Sequence, residues 1–308
     1  MRAFIFPGQG SQSVGMGAAL AEASRPARDV FEEVDEALGQ HLFRLMREGP
    51  DEELKLTENA QPAIMANSIA VFRTLGVDLA GVANFVAGHS LGEYSALCAA
   101  GAFDLSNSAK LLKLRGQAMQ AAVPVGEGAM CALLGADLAM ARRIAEAAAQ
   151  GEVCTVANDN DPSQVVLSGA KGAIDRAVEM AKEMGAKRAV QLPVSAPFHC
   201  PLMQPAAEAM RDALSYVVVE EPAVPVFANV TAAPESDPDA IRSLLVEQVT
   251  RMVRWRESIA NMFDAGVHEF VEVGGKVLGP MVKRIASDAK VVSAVTIEDI
   301  EALAKEIA

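Results

Sequence analysis

The chain has 308 residues, of which 51% are hydrophobic and 22% are charged, a composition typical of a packed globular protein. Acidic residues outnumber basic ones by 40 to 27, which gives a formal net charge of −13. This excess argues against nonspecific binding to nucleic acid or to membrane surfaces, because both require positively charged protein surface.

The first ten residues, MRAFIFPGQG, lack the charged start and long apolar segment of a secretory signal, so we expect no signal peptide. No run of about 18 apolar residues occurs, so we expect no transmembrane helix and a cytoplasmic location. The four cysteines form no CxxC pair, which favours buried free thiols. They are Cys98, Cys131, Cys154 and Cys200.

Apolar periodicity predicts alternating strands and helices in the first part of the chain. A strand is predicted first, and the last helix of this part leads towards Pro124. The predicted strands are Arg2–Phe6 and Asn84–Ala87, and the predicted helices are Arg25–Leu38, Gln61–Leu75, Leu91–Ala100 and Ser106–Ala122.

Residues 125–195 have an order of their own, βαββαβ, which is the ferredoxin-like order. The predicted elements are Ala129–Leu134, Asp137–Ala149, Val153–Asn158, Gln164–Ser168, Ala173–Gly185 and Arg188–Leu192. Alternation then resumes with Leu202–Leu214, Pro225–Asn229, Pro238–Thr250, Trp255–Ala265, His268–Val273, Val277–Ala286, Val291–Ala294 and Glu298–Ile307. We therefore predict a large α/β domain with a parallel sheet (1–124 and 196–308) and an inserted ferredoxin-like small domain (125–195).

The segment Gly88-His89-Ser90-Leu91-Gly92 fits G-x-S-x-G. A strand precedes it and an amphipathic helix follows, as a nucleophile elbow requires. The helix N-terminus would offer backbone N–H groups, above all that of Leu91, to a developing oxyanion. The sequence thus predicts that Ser90 is a nucleophile. The alternative is a tight turn with a helix-capping serine.

A nucleophilic serine needs a proton acceptor, and the chain has only four histidines. His199 is the best candidate, because it lies in the proline-bracketed loop Ser195–Pro201 that enters a helix. A packing role for His199 is the alternative, and the neighbouring Cys200 is a rival nucleophile without an elbow. No Asp or Glu stands out behind His199, so a backbone or amide oxygen could orient its ring.

Arg115 shares the apolar stripe of its predicted helix with Leu111 and Met119. A buried arginine needs a partner, because an unpaired buried charge is very costly. Its partner could be an anionic substrate, since a guanidinium binds carboxylates in a bidentate manner. A structural ion pair with an internal Asp or Glu is the alternative.

The glycine-rich loop 7–12 after the first strand lacks the lysine of a Walker A motif, and Ser13 stands where G-x-G-x-x-G requires its last glycine. Nucleotide binding is therefore not indicated. Such a loop at the carboxyl end of a strand could instead supply amide donors to the Ser90 site.

Taken together, these segments resemble the malonyl-CoA:acyl carrier protein transacylases, an acyltransferase family of fatty acid synthesis and polyketide modules. The resemblance covers nearly the whole chain. It runs through FPGQGSQ at 6–12, AQPAI at 60–64, GHSLGEYSAL at 88–97, RGQAM at 115–119, residues 158–169, VSAPFHCPLM at 194–203, NVTA at 229–232, and Gln248 before Trp255. It implies an α/β-hydrolase-like large domain with a ferredoxin-like insertion.

The resemblance also implies roles at matching positions. Ser90 would carry the acyl group with His199 as its base, and Gln9 with the Leu91 amide would form the oxyanion site. Arg115 would bind the malonyl carboxylate, the Gln248 backbone carbonyl would orient His199, and Phe198 would favour malonyl over methylmalonyl. The implied partners are malonyl-CoA and a holo acyl carrier protein, with no metal and no cofactor other than the coenzyme A thioester substrate.

Two segments depart from the family pattern, Gly274-Gly275-Lys276 and Asn158–Pro162. Because carrier proteins of this pathway are acidic, docking would need a local basic patch. Lys187 and Arg188 are the first candidates, with Lys276, Lys283 and Arg284 second. A serine hydrolase on the same elbow and a non-catalytic binding domain are the alternative functions.

Overall fold

The computed structural model of the chain describes residues 1–194 and 196–307, so Ser195, the predicted end of the small domain, and Ala308 lie outside it. The strands are β1 (Arg2–Phe6), β2 (Phe85–Gly88), β3 (Gly128–Leu134), β4 (Cys154–Asp161), β5 (Gln164–Ala170), β6 (Arg188–Gln191), β7 (Val226–Ala228), β8 (Ala233–Glu235), β9 (Glu269–Val273) and β10 (Lys290–Ala294). The helices are α1 (Ala18–Ala23), α2 (Arg25–Leu38), α3 (Leu42–Glu48), α4 (Asp51–Lys55), α5 (Thr57–Leu75), α6 (Leu79–Val82), α7 (Gly92–Ala99), α8 (Leu105–Ala121), α9 (Leu138–Ala149), α10 (Lys171–Met180), α11 (Gln204–Ser215), α12 (Pro238–Gln248), α13 (Trp255–Asp264), α14 (Gly279–Ile285) and α15 (Ile297–Ile307).

The larger sheet has the strand order β10-β9-β1-β2-β7-β8. Its first five strands pair in parallel, and β8 pairs with β7 in the antiparallel direction. β1 and β9 are buried along almost their whole length, as expected of a parallel sheet covered by helices on both faces. The predicted mixed α/β fold with a parallel sheet is therefore confirmed.

The smaller sheet has the order β4-β5-β3-β6, and all its neighbours are antiparallel. Successive residues of β3 alternate between two cores, as the period of a strand requires. Cys131 and Leu133 pack with α9 and α10, whereas Met130 and Ala132 join the core of the larger unit. Both faces of this sheet are thus covered, and one faces the larger unit.

β4 continues to Asp161, three residues beyond its predicted end at Asn158. The acidic residues looked like a turn in the sequence, but their carboxylates are buried and paired across the junction of the two units. Asp159 accepts from the guanidinium of Arg256 at 2.8–3.1 Å, and Asp161 accepts from Arg284 at 2.7 Å. Ion pairs with arginines from another part of the chain therefore stabilise a strand conformation in residues whose local preference is for a loop.

Helix α5 begins at Thr57, four residues before its predicted start, and encloses Pro62. Proline favours the first turn of a helix, and Pro62 would have stood in the first turn of the predicted helix Gln61–Leu75. The short elements α1, α3, α4, α6 and β8 were not predicted, because each is too short to display a period.

The carboxyl ends of β1, β2 and β7 lie side by side in the middle of the larger sheet. The loop after β1 contains Gln9, Ser90 follows β2, and Asn229 follows β7. In open parallel sheets, ligands bind beyond this edge of the strands. The fold therefore brings the predicted elbow and the first glycine-rich loop to one place.

Candidate active site

Ser90 lies between β2 and α7 with φ of 54°, in the left-handed region that costs a non-glycine residue about 1 kcal/mol or more. The flanking glycines make this turn possible. A Cβ atom on Gly88 would lie 1.8 Å from the carbonyl oxygen of Gly92, and one on Gly92 would lie 2.3 Å from that of Phe6. The turn is as sharp as a nucleophile elbow requires.

The hydroxyl of Ser90 and the ring of His199 are in direct contact, with Oγ and Nε2 2.7 Å apart. On the opposite side of the ring, Nδ1 lies 2.8 Å from the backbone carbonyl oxygen of Gln248. A carbonyl only accepts, so Nδ1 carries the proton and Nε2 is left to accept from Ser90. No carboxylate is needed to select this tautomer.

His199 is 4% exposed and, like Ser90, has a positive φ. Burial, together with the positive charge of Arg115, lowers the pKa of its imidazole to about 3. The ring is therefore neutral and able to accept a proton at neutral pH. The rival Cys200 instead donates its thiol to the carbonyl of Pro197, and burial raises its pKa, which makes it a poor nucleophile.

The guanidinium of Arg115 reaches the same place from α8 and is 1% exposed. It donates to the side-chain oxygens of Gln61 at 2.7 Å and Gln248 at 2.8 Å, and to Ser90 Oγ at 3.2 Å. Among residues 1–194 and 196–307, no carboxylate lies within ion-pair distance of it, and its Nε has no partner. The alternative of a structural ion pair is therefore not supported by the geometry.

A polar network that the sequence did not reveal supports this centre. Asn229 accepts from the Ser90 amide at 2.8 Å and donates to the carbonyl of Gly88 at 2.7 Å. The buried carboxylate of Glu93 accepts from the amide of Asn229 and from Gln248 Nε2. The polar end of the NVTA segment directly after a strand was the available signal for Asn229, whereas Glu93 looked like an ordinary helical residue.

A cavity of about 410 Å³ opens beside Ser90 between the two units. Its lining includes Gln9, Leu91 and Phe198, as well as Met130 and Asn158 from the smaller unit. The Leu91 amide leads into α7, and no hydrogen bond within the described part of the chain uses its N–H. All of the predicted site residues thus surround one cavity or hold a residue that does.

The five candidate docking cations differ in their surroundings. Lys187 and Arg188 are exposed at the start of β6 and have no ion-pair partner among the residues that the structure describes. Arg284 is paired with buried Asp161, and Lys276 with Asp299 at 3.5 Å. Lys283 donates to the carbonyl of Ser287. The first pair is thus the more available.

The cysteines of the chain are free, and three of them are buried while Cys98 is half-buried. Within residues 1–194 and 196–307, no group of three or more His, Cys, Asp or Glu side chains is placed to hold a metal ion. None of the described helices has the length and apolar character needed to cross a membrane.

Comparison with known proteins agrees with this geometry. The sequence pattern of the acyl transferase domain family matches residues 3–292. The chain belongs to this family. A malonyl CoA-acyl carrier protein transacylase of Haemophilus influenzae is 43% identical over 293 residues, covering 94% of each chain, and one of Bacillus subtilis is 44% identical over 304 residues, covering 97% of this chain and 95% of that one.

Solved structures of this family have the same fold. An acyl-carrier-protein-S-malonyltransferase of Bartonella henselae is 53% identical, with a TM-score of 0.97 and 99% of each chain covered. A malonyl-transacylase in complex with its type II PKS acyl-carrier protein is 39% identical, with a TM-score of 0.95 and 99% of each chain covered. The resemblance read from the sequence motifs is confirmed.

Proposed function

We propose that this chain transfers the malonyl group of malonyl-CoA to the phosphopantetheine thiol of an acyl carrier protein through a malonyl-Ser90 intermediate. The observation that carries the proposal is the contact between the hydroxyl of Ser90, the proposed nucleophile, and the guanidinium of Arg115, the proposed receptor for an anion. Arg115 Nη2 lies 3.2 Å from Ser90 Oγ, and no protein carboxylate pairs with it among the described residues. A carboxylated acyl group bound there would have its carbonyl carbon close to Ser90.

In the first half-reaction, Ser90 Oγ attacks the thioester carbon while His199 Nε2 takes the hydroxyl proton. The negative charge on the carbonyl oxygen is stabilised by donors that include the Leu91 amide, with Gln9 from the loop after β1. The tetrahedral intermediate collapses by breaking the C–S bond. His199 returns its proton to the leaving thiolate, so coenzyme A departs as a thiol and the serine holds a malonyl ester.

The second half-reaction repeats these steps in the opposite direction with a different thiol. His199 takes the proton of the phosphopantetheine thiol, the thiolate attacks malonyl-Ser90, and the proton returns to Ser90 Oγ. The two thiols use the same cavity in turn, which is ping-pong transfer. The coenzyme A thioester is a substrate, and the proposed reaction needs no further cofactor and no metal.

The roles of Phe198, Gln9 and the Leu91 amide remain predictions. Phe198 is 8% exposed and lines the cavity next to His199. A bulky ring there leaves little room for a branch on the acyl chain, which supports selection of malonyl over methylmalonyl.

Lys187 and Arg188 remain our proposed contact for an acidic carrier protein. Arg188 begins β6 and Lys187 directly precedes it, and that strand leads to Leu192 and Val194 at the cavity. Five residues of extended chain span about 16 Å, so the patch would lie one strand length from the site. The predicted cytoplasmic location stays a prediction.

We also propose that the larger unit, residues 1–124 and 196–308, is α/β-hydrolase-like, and that the smaller unit, residues 125–195, is ferredoxin-like. The elbow at the end of a central parallel strand supports the first assignment. The βαββαβ order, with four antiparallel strands and two helices on one face, supports the second.

The test is incubation with malonyl-CoA followed by intact-mass measurement, and then addition of holo acyl carrier protein. We expect one malonyl adduct, its absence in Ser90→Ala, and its loss from the enzyme when the carrier protein gains it. Rapid release of free malonate without transfer would favour the serine hydrolase. No adduct at all would leave only a binding domain.

A further inference from the structure

Glu93 is a buried acid that the reaction steps above do not use. Its side chain is 2% exposed at the start of α7, three residues after Ser90. Its Oε2 accepts from the backbone amide of Asn229 at 3.1 Å and from Gln248 Nε2 at 2.8 Å. Both partners contact Ser90, so the carboxylate is one residue removed from the nucleophile.

The amide of Gln248 connects Glu93 to Arg115. Its Nε2 donates to Glu93, while its Oε1 accepts from Arg115 Nη2 at 2.8 Å. Rotating this amide by half a turn would set oxygen against carboxylate and NH₂ against guanidinium. Glu93 and Arg115 together therefore fix the orientation of Gln248, and the same residue holds the ring of His199 through its backbone carbonyl.

The guanidinium has five N–H groups, and three of its contacts are to protein oxygens. Those three oxygens belong to uncharged groups, and the negative charge of Glu93, which lies on the far side of Gln248, favours the charged form of Arg115. A malonyl carboxylate bound to Arg115 would be a second anion around one cation. Like charges that share a buried site disfavour each other's ionisation.

We propose that Glu93 is a positioning residue whose carboxylate balances Arg115 before substrate binds and becomes protonated from solvent in a larger fraction of the molecules when a malonyl carboxylate binds Arg115. This inference rests on the proposed malonyl transfer. The protonation of Glu93 would then be part of malonyl recognition, because the bound malonyl carboxylate and the nearby Glu93 carboxylate repel each other until Glu93 is neutralised.

Among the titratable groups around Glu93 and Arg115, Glu93 is the one whose protonation state is expected to change near neutral pH. Burial raises the pKa of Glu93 to about 7, although hydrogen bonds and Arg115 oppose the shift. Burial also raises the pKa of the Tyr94 hydroxyl far above its usual value and lowers the pKa values of His199 and His89. Arg115 keeps its charge despite a lowered pKa.

Proton uptake can be measured directly, because exchanging a hydroxyl for a thiol releases and consumes no net proton. Malonyl-CoA is mixed with enzyme in weak buffer containing a pH indicator near pH 7.5, and the adduct is counted by intact mass. A rise of one unit in the pKa of Glu93 predicts uptake of about half a proton per malonyl-Ser90. Glu93→Gln keeps the acceptor oxygen and should show none.

Glu272→Gln is the matched control, because Glu272 is also fully buried but accepts from the amides of residues 277–279 away from Arg115. Its uptake should equal that of the unmodified enzyme. By reciprocity, acidification should tighten malonylation of the unmodified enzyme up to about tenfold across the pKa of Glu93. In Glu93→Gln this dependence on pH should disappear.

Two results would overturn the inference: a malonyl adduct that forms without proton uptake, or uptake that persists in Glu93→Gln. If that variant fails to fold, infrared difference spectra of the unmodified enzyme decide, since a protonated-carboxyl band that shifts in D₂O, unlike the ester band of malonyl-Ser90, must grow on malonylation. Absence of any adduct would instead refute the proposed transfer, so the two failures are distinguishable.

Discussion

At the scale of single residues, the site combines a neutral base with a permanent cation, and both side chains are buried beside the cavity. Arg115 and burial act on His199 in the same direction, since both disfavour the imidazolium. The guanidinium that we propose as the receptor of an anionic acyl group thus also keeps the base able to accept a proton. A backbone carbonyl in place of the carboxylate of a Ser-His-Asp triad fits this arrangement, because a negative partner would raise the pKa of the ring.

The first prediction concerns the pH dependence of Ser90 reactivity. Because the pKa of His199 is lowered to about 3, the base stays neutral as the pH falls from about 7.5 to 5. Labelling of Ser90 by a neutral sulfonyl fluoride should therefore change less than about twofold over this range, as followed by intact mass. A decline of about tenfold per pH unit below pH 6.5 would show an ordinary histidine instead.

Variants of Arg115 distinguish a receptor for the malonyl carboxylate from a structural residue. Arg115→Ala should lower kcat/KM for malonyl-CoA about 100-fold, the loss of a charge-assisted hydrogen-bonded pair, while acetyl-CoA, which has no carboxylate, changes only a few-fold. Arg115→Lys keeps the charge without the planar fork and should fall between them. Steady-state rates with both thioesters give the comparison, and equal losses would mean that Arg115 is structural.

At the scale of secondary structure, the site depends on how closely the elbow approaches its neighbours. Gly88→Ala would put a Cβ atom 1.8 Å from the carbonyl oxygen of Gly92. The turn must open, so acylation should fall at least about 100-fold and the free energy of unfolding by about 2 kcal/mol or more. In the control Gly81→Ala, the nearest atom lies 3.9 Å away, and denaturant unfolding should change by under about 1 kcal/mol.

The sequence predicted long elements well and the site partly. Ser90, His199 and Arg115 could be found because each breaks a local rule: a serine between glycines, a histidine between prolines and a charge on an apolar stripe. Asp159 and Asp161 could not be recognised as strand residues, since their arginine partners come from α13 and α14, 97 and 123 residues later. Glu93 was missed for the same reason. It is unusual because its carboxylate is buried, and the residues that bind it, Asn229 and Gln248, come from distant parts of the chain.

At the scale of the whole molecule, the smaller unit completes the cavity of the larger one. One face of its sheet carries its own core, and the other supplies Met130 and Asn158 to the cavity lining. The ion pairs of Asp159 and Asp161 hold β4 against α13 and α14. Between them, Asn160 Oδ1 lies 2.8 Å from Nε2 of His89, the residue before Ser90. Substrate entry is therefore shaped by both units.

This arrangement gives the prediction for carrier-protein docking. Changing Lys187 and Arg188 together to Glu should raise the KM for holo acyl carrier protein about tenfold or more, because an acidic partner meets four units of unfavourable charge difference. Malonylation of Ser90 by malonyl-CoA should be unchanged, since the patch lies about 16 Å along β6 from the cavity. Added salt should reduce the difference between the two enzymes.

The matched control is the same reversal at Arg142 and Arg143, which are exposed on α9 of the same unit. This variant changes the net charge by the same amount. Because α9 covers the face of the small sheet that points away from the larger unit, the substitutions lie far from the side of the sheet that leads to Ser90. If both double variants raise the KM alike, general charge repulsion is the cause. If neither changes it, docking does not use the start of β6 and must rely on another surface.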